Sequence, residues 1–237
     1  MPVRVPNFYD INKFPANGYL IFPLSMSRLQ TGQAAEQIYN DLVFFNKKIP
    51  KISLDVIFLY TAGLYMHSEE KATDVRQKII GQMLDHKAKL LSIILKKREF
   101  VPQAFHFITW DSVLLNTEKF SETLLALKKL RKSDKEFQKL LEIDLKEKQK
   151  NETTFTFLIE EITITHLLRQ KFIPLNHALA TSEGWRLIVY PGDYMKADAY
   201  AYRKGFLPRN KAIKKDDVFS HAHYDLNKRL LIDFDKL

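Results

Sequence analysis

The chain has 237 residues, 46% of them hydrophobic, with 17 Phe and 10 Tyr, which is enough to bury a sizeable core and too apolar for a disordered chain. It contains no cysteine, which excludes disulfides, thiolate metal sites and a thiol nucleophile. The 37 Lys and Arg outnumber the 28 Asp and Glu, and the formal charge of +9 favours a polyanionic partner, either nucleic acid or an anionic membrane surface.

No signal-peptide-like apolar segment opens the chain, and no apolar run approaches the roughly 18 residues needed to cross a bilayer. A cytoplasmic protein that does not enter the membrane is therefore expected. Residues 1–16, with Pro2, Pro6 and Pro15, read as an irregular lead-in. Tyr19 to Leu24 is an apolar run entered through Asn17-Gly18, which predicts a buried strand. Ser25 follows at its carboxyl end, the position where an open α/β sheet places ligands and nucleophiles. Serines are also common there as turn formers, so position alone decides little.

Gln33 to Asn46 carries Ala34, Ile38, Leu42 and Phe45 at helical spacing, and Pro50 stops it. Leu54 to Tyr60 is a second buried strand. Strand, helix and strand in this order is the βαβ pattern of a parallel sheet. Lys71 to Arg98 reads as one long helix, with Val75, Ile79, Met83, Leu90, Leu91, Ile94 and Leu95 on a wide apolar arc. Lys71, Lys78, Lys89 and Lys96 fall within about 20° of one another on the opposite side, and Lys97 and Arg98 close the helix. Such a stripe is either a solvated face or a surface for a phosphate backbone.

Ala104 to Trp110 is a third strand, with Asp111 or Ser112 as a cap for the next element. Phe120 to Lys150 mixes acids and bases and predicts a surface helix pair supported by i,i+4 pairing. Glu152 to Leu168 is β-branched yet long, and the spacing of Phe157, Glu161, Ile164 and Leu168 predicts a largely buried helix. A carboxylate among apolar neighbours needs a partner, for which Arg169 and Lys171 are available, and Glu160 is the alternative inward residue.

Arg186 to Tyr190 is a fourth strand, ended by Pro191-Gly192, and Leu230 to Phe234 an edge strand. Tyr194, Tyr200 and Tyr202 lie among cations, a pattern that suits either stacking on an unpaired nucleic-acid end or packing on the core. His221-Ala-His223 with Asp225 is the only metal-like cluster. Solvated histidines, and no metal, are the expectation there. Dinucleotide and phosphate-loop glycine motifs are absent, and no Gly-x-Ser-x-Gly elbow surrounds Ser25.

Taken together, Ser25, the lysine-lined helix, Glu161 and the Tyr190-Pro191 pair resemble the tRNA-dependent cyclodipeptide synthases, over roughly residues 18–205. The resemblance implies a single Rossmann-like domain spanning residues 1–237, with a mostly parallel sheet covered by helices on both faces, as in the class I tyrosyl- and tryptophanyl-tRNA synthetases. It implies an enzyme that joins the amino acids of two aminoacyl-tRNAs into a cyclic dipeptide through aminoacyl-serine and dipeptidyl-serine intermediates, without a cofactor or metal.

By position, Ser25 resembles the nucleophile, Glu161 the glutamate that holds the amino group, and Tyr190 the proton-transfer tyrosine. Backbone N–H groups around Ser25 would serve the oxyanion, and Ile21, Phe22 and Leu24 would line the side-chain pocket. Pro191 after the tyrosine and Arg28 three residues beyond the serine agree with the Tyr-Pro branch of the family. The helix bearing Lys71, Lys78, Lys89, Lys96, Lys97 and Arg98 resembles the family's tRNA-contacting helix.

Two positions depart from the pattern. Pro23 replaces the usual glycine, and Phe157 replaces a tyrosine whose hydroxyl would be worth about 1 kcal/mol of substrate positioning. These departures keep open a non-catalytic tRNA- or RNA-binding relative. An unrelated serine hydrolase and an interaction protein are further alternatives. A monomer that acts on aminoacyl-tRNAs is the expectation.

Overall fold

The computed structural model describes residues 17–48, 53–61, 73–99, 104–110, 117, 119–145, 150–173, 185–213 and 217–237. The expected lead-in, the cap at Asp111 or Ser112 and Lys71 lie outside the described residues.

The apolar run at the start forms β1 (Asn17–Leu24), followed after a short turn by α1 (Ala35–Lys48). Next come β2 (Ser53–Tyr60), α2 (Thr73–Lys97) and β3 (Ala104–Thr109), each within two residues of its expected bounds. β1 pairs in parallel with β2, from Asn17↔Ser53 to Leu24↔Tyr60, and β2 pairs in parallel with β3. The chain then crosses to the other side of β1, where β4 (Trp185–Tyr190) pairs from Gly18↔Trp185 to Ile21↔Ile188. β5 (Ala222–Asp225) adds in parallel to β4, and β6 (Leu230–Asp233) closes the edge in the antiparallel sense. The strand order is β3-β2-β1-β4-β5-β6. This is a mostly parallel, Rossmann-like α/β sheet.

Side chains alternate across each strand, and β1 and most of β2 and β4 are buried on both faces, whereas β3 at the edge is part-buried. On one face Leu20, Phe22, Leu24, Val56, Phe58, Tyr60, Leu187 and Val189 pack with α1 and α2. On the other, Tyr19, Ile21, Ile57, Leu59 and Ile188 pack with Ile164, Leu167 and Leu168. Those three belong to α5 (Glu152–Arg169), which is helical despite its β-branched run. Asn151 and Thr154 start it with a reciprocal capping box, and every residue from Ile162 to Arg169 is buried, so packing outweighs local propensity.

The mixed-charge segment forms α3 (Lys119–Ser133) and α4 (Lys135–Leu145), as expected, but not through i,i+4 ion pairs. Among the described residues its ion pairs join more distant positions: Arg131 holds Glu152 of α5 at 2.7 Å, and Glu142 meets Lys150, eight residues on, at 3.8 Å. Burial of Leu127, Leu130, Phe137, Leu141 and Leu145 holds the pair instead.

The tyrosine-rich stretch contains a helix that the sequence pattern does not separate, α6 (Lys196–Arg203). Asp144 accepts from the N–H groups of Lys196 and Ala197 at 2.9 and 2.8 Å and so caps it. Of the two roles open for its tyrosines, packing is the one seen. Tyr202 is buried, and Tyr200 donates to Asp134 at 3.0 Å. Arg169 pairs with Asp198 of this helix at 2.7 Å, both fully enclosed.

A close approach fixes the start of the sheet. A Cβ built on Gly18 would fall inside the indole of Trp185, its register partner. The indole is itself wedged against Phe219, with ring centroids 5.0 Å apart, and cannot retreat. Gly18→Ala is therefore expected to lower stability by about 1–3 kcal/mol, read as a fall in Tm and in the denaturant midpoint.

Candidate active site

Ser25 has φ −76° and ψ 125°, so the extended alternation of β1 continues through it before a short turn, Met26–Arg28. Its side chain thus shares the face of Tyr19 and Ile21, the face covered by α5. Tyr190 shares that face with Ile188. Both stand at carboxyl ends of adjacent parallel strands. The chain leaves β1 toward β2 on one side and returns as β4 on the other, so a topological switch point lies between them.

α5 runs against the strands. Its last turn lies over their amino ends, where Arg186 donates to the carbonyls of Leu168 and Ile173 at 3.3 and 2.8 Å. Counting back from Leu168, Glu161 stands about 10 Å and Phe157 about 16 Å toward the carboxyl ends. Tyr190 stands about 13 Å above Arg186, and Ser25 about 20 Å above its register partner Tyr19. Phe157, Glu161, Ile164 and Leu168 form one stripe at helical spacing, and Phe157 packs on the cluster that Ile164 and Leu168 make with the strands. Glu161 and Phe157 are half-buried, as is Glu160. Both cations considered for Glu161 hold other carboxylates: Arg169 holds Asp198, and Lys171 holds Asp217 at 2.8 Å.

Arg28 ties the two strand ends together. Its Nη1 donates to the Pro191 carbonyl at 2.6 Å, and its guanidinium lies 5.2 Å from the centre of the Tyr190 ring. Gly192, at φ 149°, turns the chain away, and its N–H donates to the Tyr190 carbonyl at 3.0 Å.

Three expectations need correction. Phe22 and Leu24 do not share a pocket wall with Ile21. They turn to the opposite face, where Phe22 packs on Phe45 and Phe58, because neighbours in a strand point opposite ways. Ser25's own N–H is not open to an oxyanion, since it donates to Gln33 Oε1 at 2.8 Å. Leu95, placed on the apolar arc of α2, is 61% exposed. The buried line of that helix is Ile79, His86, Leu90 and Ile94. Lys78, Lys89, Lys96, Lys97 and Arg98 are exposed, as the stripe requires.

The histidine pair is not solvated either. His223 is buried and faces the Gly192 carbonyl at 3.1 Å, so its Nε2 carries the proton and supports the turn after Tyr190. His221 Nε2 stands 3.4 Å from Asp233 and 3.5 Å from Asp235. These three are the group with metal-ligand spacing among the described residues, though the Lys236 ammonium already meets Asp233 at 3.2 Å. Asp225, grouped with the histidines on sequence, instead caps the β5–β6 turn at the N–H groups of Asn227 and Lys228.

This chain is 18% identical to a cyclodipeptide synthase from Fluoribacter dumoffii, with a TM-score of 0.56 over 84% of this chain and 89% of that one. Against a cyclodipeptide synthase from Staphylococcus haemolyticus the identity is 12% and the TM-score 0.51, over 78% and 84% of the two chains. The fold is that of the cyclodipeptide synthases. No protein-family model and no curated protein matches the sequence. Within the cyclodipeptide synthase fold, three residues whose roles the sequence reading did not assign support the site: Gln33, His86 and His223. His86 was findable, because it falls seven residues after Ile79 and four before Leu90 on the buried line of α2.

Burial lowers the His223 pKa from 6.5 to about 4. The folded state therefore binds this proton more weakly than the unfolded chain. The stability it contributes is complete above pH 6.5 and is lost as pH falls through about 4. Asp41 and Asp144, both raised to about 6 by burial, act with the opposite sign. The readout is thus the difference between wild type and His223→Gln. Wild type should lose stability faster on acidification inside that window, by up to about 1.4 kcal/mol per pH unit, measured by urea unfolding at a series of pH values.

Proposed function

We propose that this chain is a cyclodipeptide synthase, which joins the amino acids of two aminoacyl-tRNAs into a 2,5-diketopiperazine. The observation that carries the proposal is the placement of Ser25 and Tyr190 at adjacent strand ends, on one face, at the switch point of this fold. The stripe of α5 that bears Glu161 and Phe157 overlooks the same mouth. The substrate arrives as an activated ester, so the reaction needs neither ATP nor a metal.

Ser25 Oγ attacks the ester carbonyl of the first aminoacyl-tRNA. The C–O bond to the ribose breaks, and the seryl proton passes to the departing ribose oxygen. The N–H of Met26, which opens the turn after the serine, takes the oxyanion role that Ser25's own N–H cannot fill. Glu161 holds the amino group of the seryl-bound residue. Once deprotonated, that amine attacks the ester of the second aminoacyl-tRNA, releasing its ribose hydroxyl and leaving a dipeptidyl-serine. The new terminal amine then attacks the seryl ester, closing a six-membered ring and returning a proton to Ser25. Tyr190 relays these protons, its ring held by Arg28. Phe157 lines the apolar side of the pocket, above the fully buried Ile21, and Pro23 and Pro191 shape the strand ends around it.

Cells expressing the protein should accumulate diketopiperazines detectable by mass spectrometry, and Ser25→Ala should abolish them. RNA binding without product would favour a non-catalytic relative, and ester hydrolysis without product a hydrolase.

The exposed cations of α2 serve the tRNA phosphates. Replacing Lys78, Lys89 and Lys96 by Gln should weaken tRNA binding and reduce the slope of log affinity against log salt by about 0.7–0.9 for each phosphate no longer neutralised. Filter-binding titrations across salt concentrations measure both, and an unchanged slope would remove the helix from the interface.

A further inference from the structure

Parallel strands share hydrogen bonds in a fixed pattern: one residue of a neighbour donates to the carbonyl of residue i−1 and accepts from the N–H of residue i+1. Pairing of β1 with β4 ends at Ile21↔Ile188, and β4 continues along β5 through Val189↔Tyr224 and Tyr190↔Asp225. The Leu24 carbonyl still faces β2, accepting from the Thr61 N–H at 3.0 Å. By alternation the Pro23 carbonyl and the Ser25 N–H face the side that β4 has left.

Gln33 fills that place. Its Nε2 donates to the Pro23 carbonyl at 2.7 Å, and its Oε1 accepts from the Ser25 N–H at 2.8 Å. One side-chain amide thus makes the pair of bonds that a residue of the missing strand would make. The side chain is fully buried, and its backbone is held in turn. The Gln33 N–H donates to the Arg28 carbonyl at 2.9 Å, and His86 Nε2 lies 2.8 Å from the Gln33 carbonyl. A carbonyl only accepts, so Nε2 carries the proton and Nδ1 accepts from the Tyr60 hydroxyl at 2.9 Å. Burial lowers the His86 pKa, which keeps the ring in this neutral form.

We infer that Gln33 is a positioning residue for the seryl nucleophile. It stands in for an absent strand, holds Ser25 extended beyond the end of the sheet, and thereby sets the direction of Oγ. The inference rests on the assignment of Ser25 as the residue that is acylated.

Single-turnover acylation of Ser25 by aminoacyl-tRNA, followed by intact-protein mass, tests it in wild type, Gln33→Met and Gln33→Glu. Methionine keeps the length and apolar bulk but makes neither bond. Acylation should slow by about tenfold or more, while tRNA affinity stays at the wild-type value. Glutamate gives a readout that bulk packing would not move. As a neutral acid it donates to the Pro23 carbonyl and accepts from the Ser25 N–H, whereas the carboxylate loses the donor. Buried here, its pKa lies above the usual carboxylate range, so the Gln33→Glu to wild-type rate ratio should rise as pH falls from 8 to 5.5.

A ratio flat across that range, or Gln33→Met as fast as wild type, overturns the inference and leaves the assignment of Ser25 intact. Wild-type protein that never acquires an acyl group on Ser25 overturns the assignment itself, and the inference with it. Should Gln33→Met fail to fold, by circular dichroism, the pH comparison within Gln33→Glu still decides.

Discussion

Two backbone groups of β1, the Pro23 carbonyl and the Ser25 N–H, lose their strand neighbour where β4 turns away toward β5. A sheet cannot leave such groups unpaired in its interior without a cost of about 1–3 kcal/mol each, yet a crevice at a switch point requires strands to part there. The structure meets both demands with a side chain. The amide of Gln33 satisfies the orphaned pair from outside the sheet. The placement of Ser25, Arg28 and Tyr190 depends on this parting of the strands. Arg28 then bridges the gap from above, from the turn after Ser25 to the Pro191 carbonyl, so the two strand ends are separated but not independent.

The faces of the sheet are unequal in consequence. Toward α1 and α2 the strands present Phe22, Leu24, Phe58 and Tyr60, and aromatic packing closes that side to any ligand. Toward α5 they present Ile21, Ile188 and then Ser25 and Tyr190, and the covering helix changes from Leu168 and Ile164 to Glu161 as it nears the mouth. Two cations near the end of α5 are matched by carboxylates, Arg169 by Asp198 and Lys171 by Asp217.

Much of this was legible in the sequence because the strands β1, β2, β3 and β4 are apolar runs longer than any local ambiguity, and parallel strands buried on both faces must read that way. The helix from Glu152 to Arg169 was legible too, through its length and a stripe spacing that β-branched residues could not disguise. Short polar elements were not legible. α6 and β5 span eight and four residues and are held by partners distant in sequence, such as Asp144 beneath the first turn of α6. Near Ser25, a pocket wall drawn from adjacent residues runs against the alternation of the strand, which sends Phe22 and Leu24 to the far face. Contacts such as Arg28 with Pro191 join residues 163 positions apart, and no local pattern encodes them.

Pro23 has a physical reason for its place in a central strand. A proline in a central strand removes a ladder donor and is ordinarily excluded. Here it sits where the ladder on its side has already ended. Any other residue would present three groups to the vacated side: its own N–H, its carbonyl, and the N–H of Ser25. Proline reduces these to one acceptor and one donor, the complement of a single carboxamide, and Gln33 supplies one. The proline and the glutamine are therefore best understood together: the first removes the group that the second could not have satisfied. A glycine at position 23 beside Gln33 would restore an unmatched N–H next to Ser25, and Pro23 beside a shorter residue at position 33 would leave both remaining groups bare.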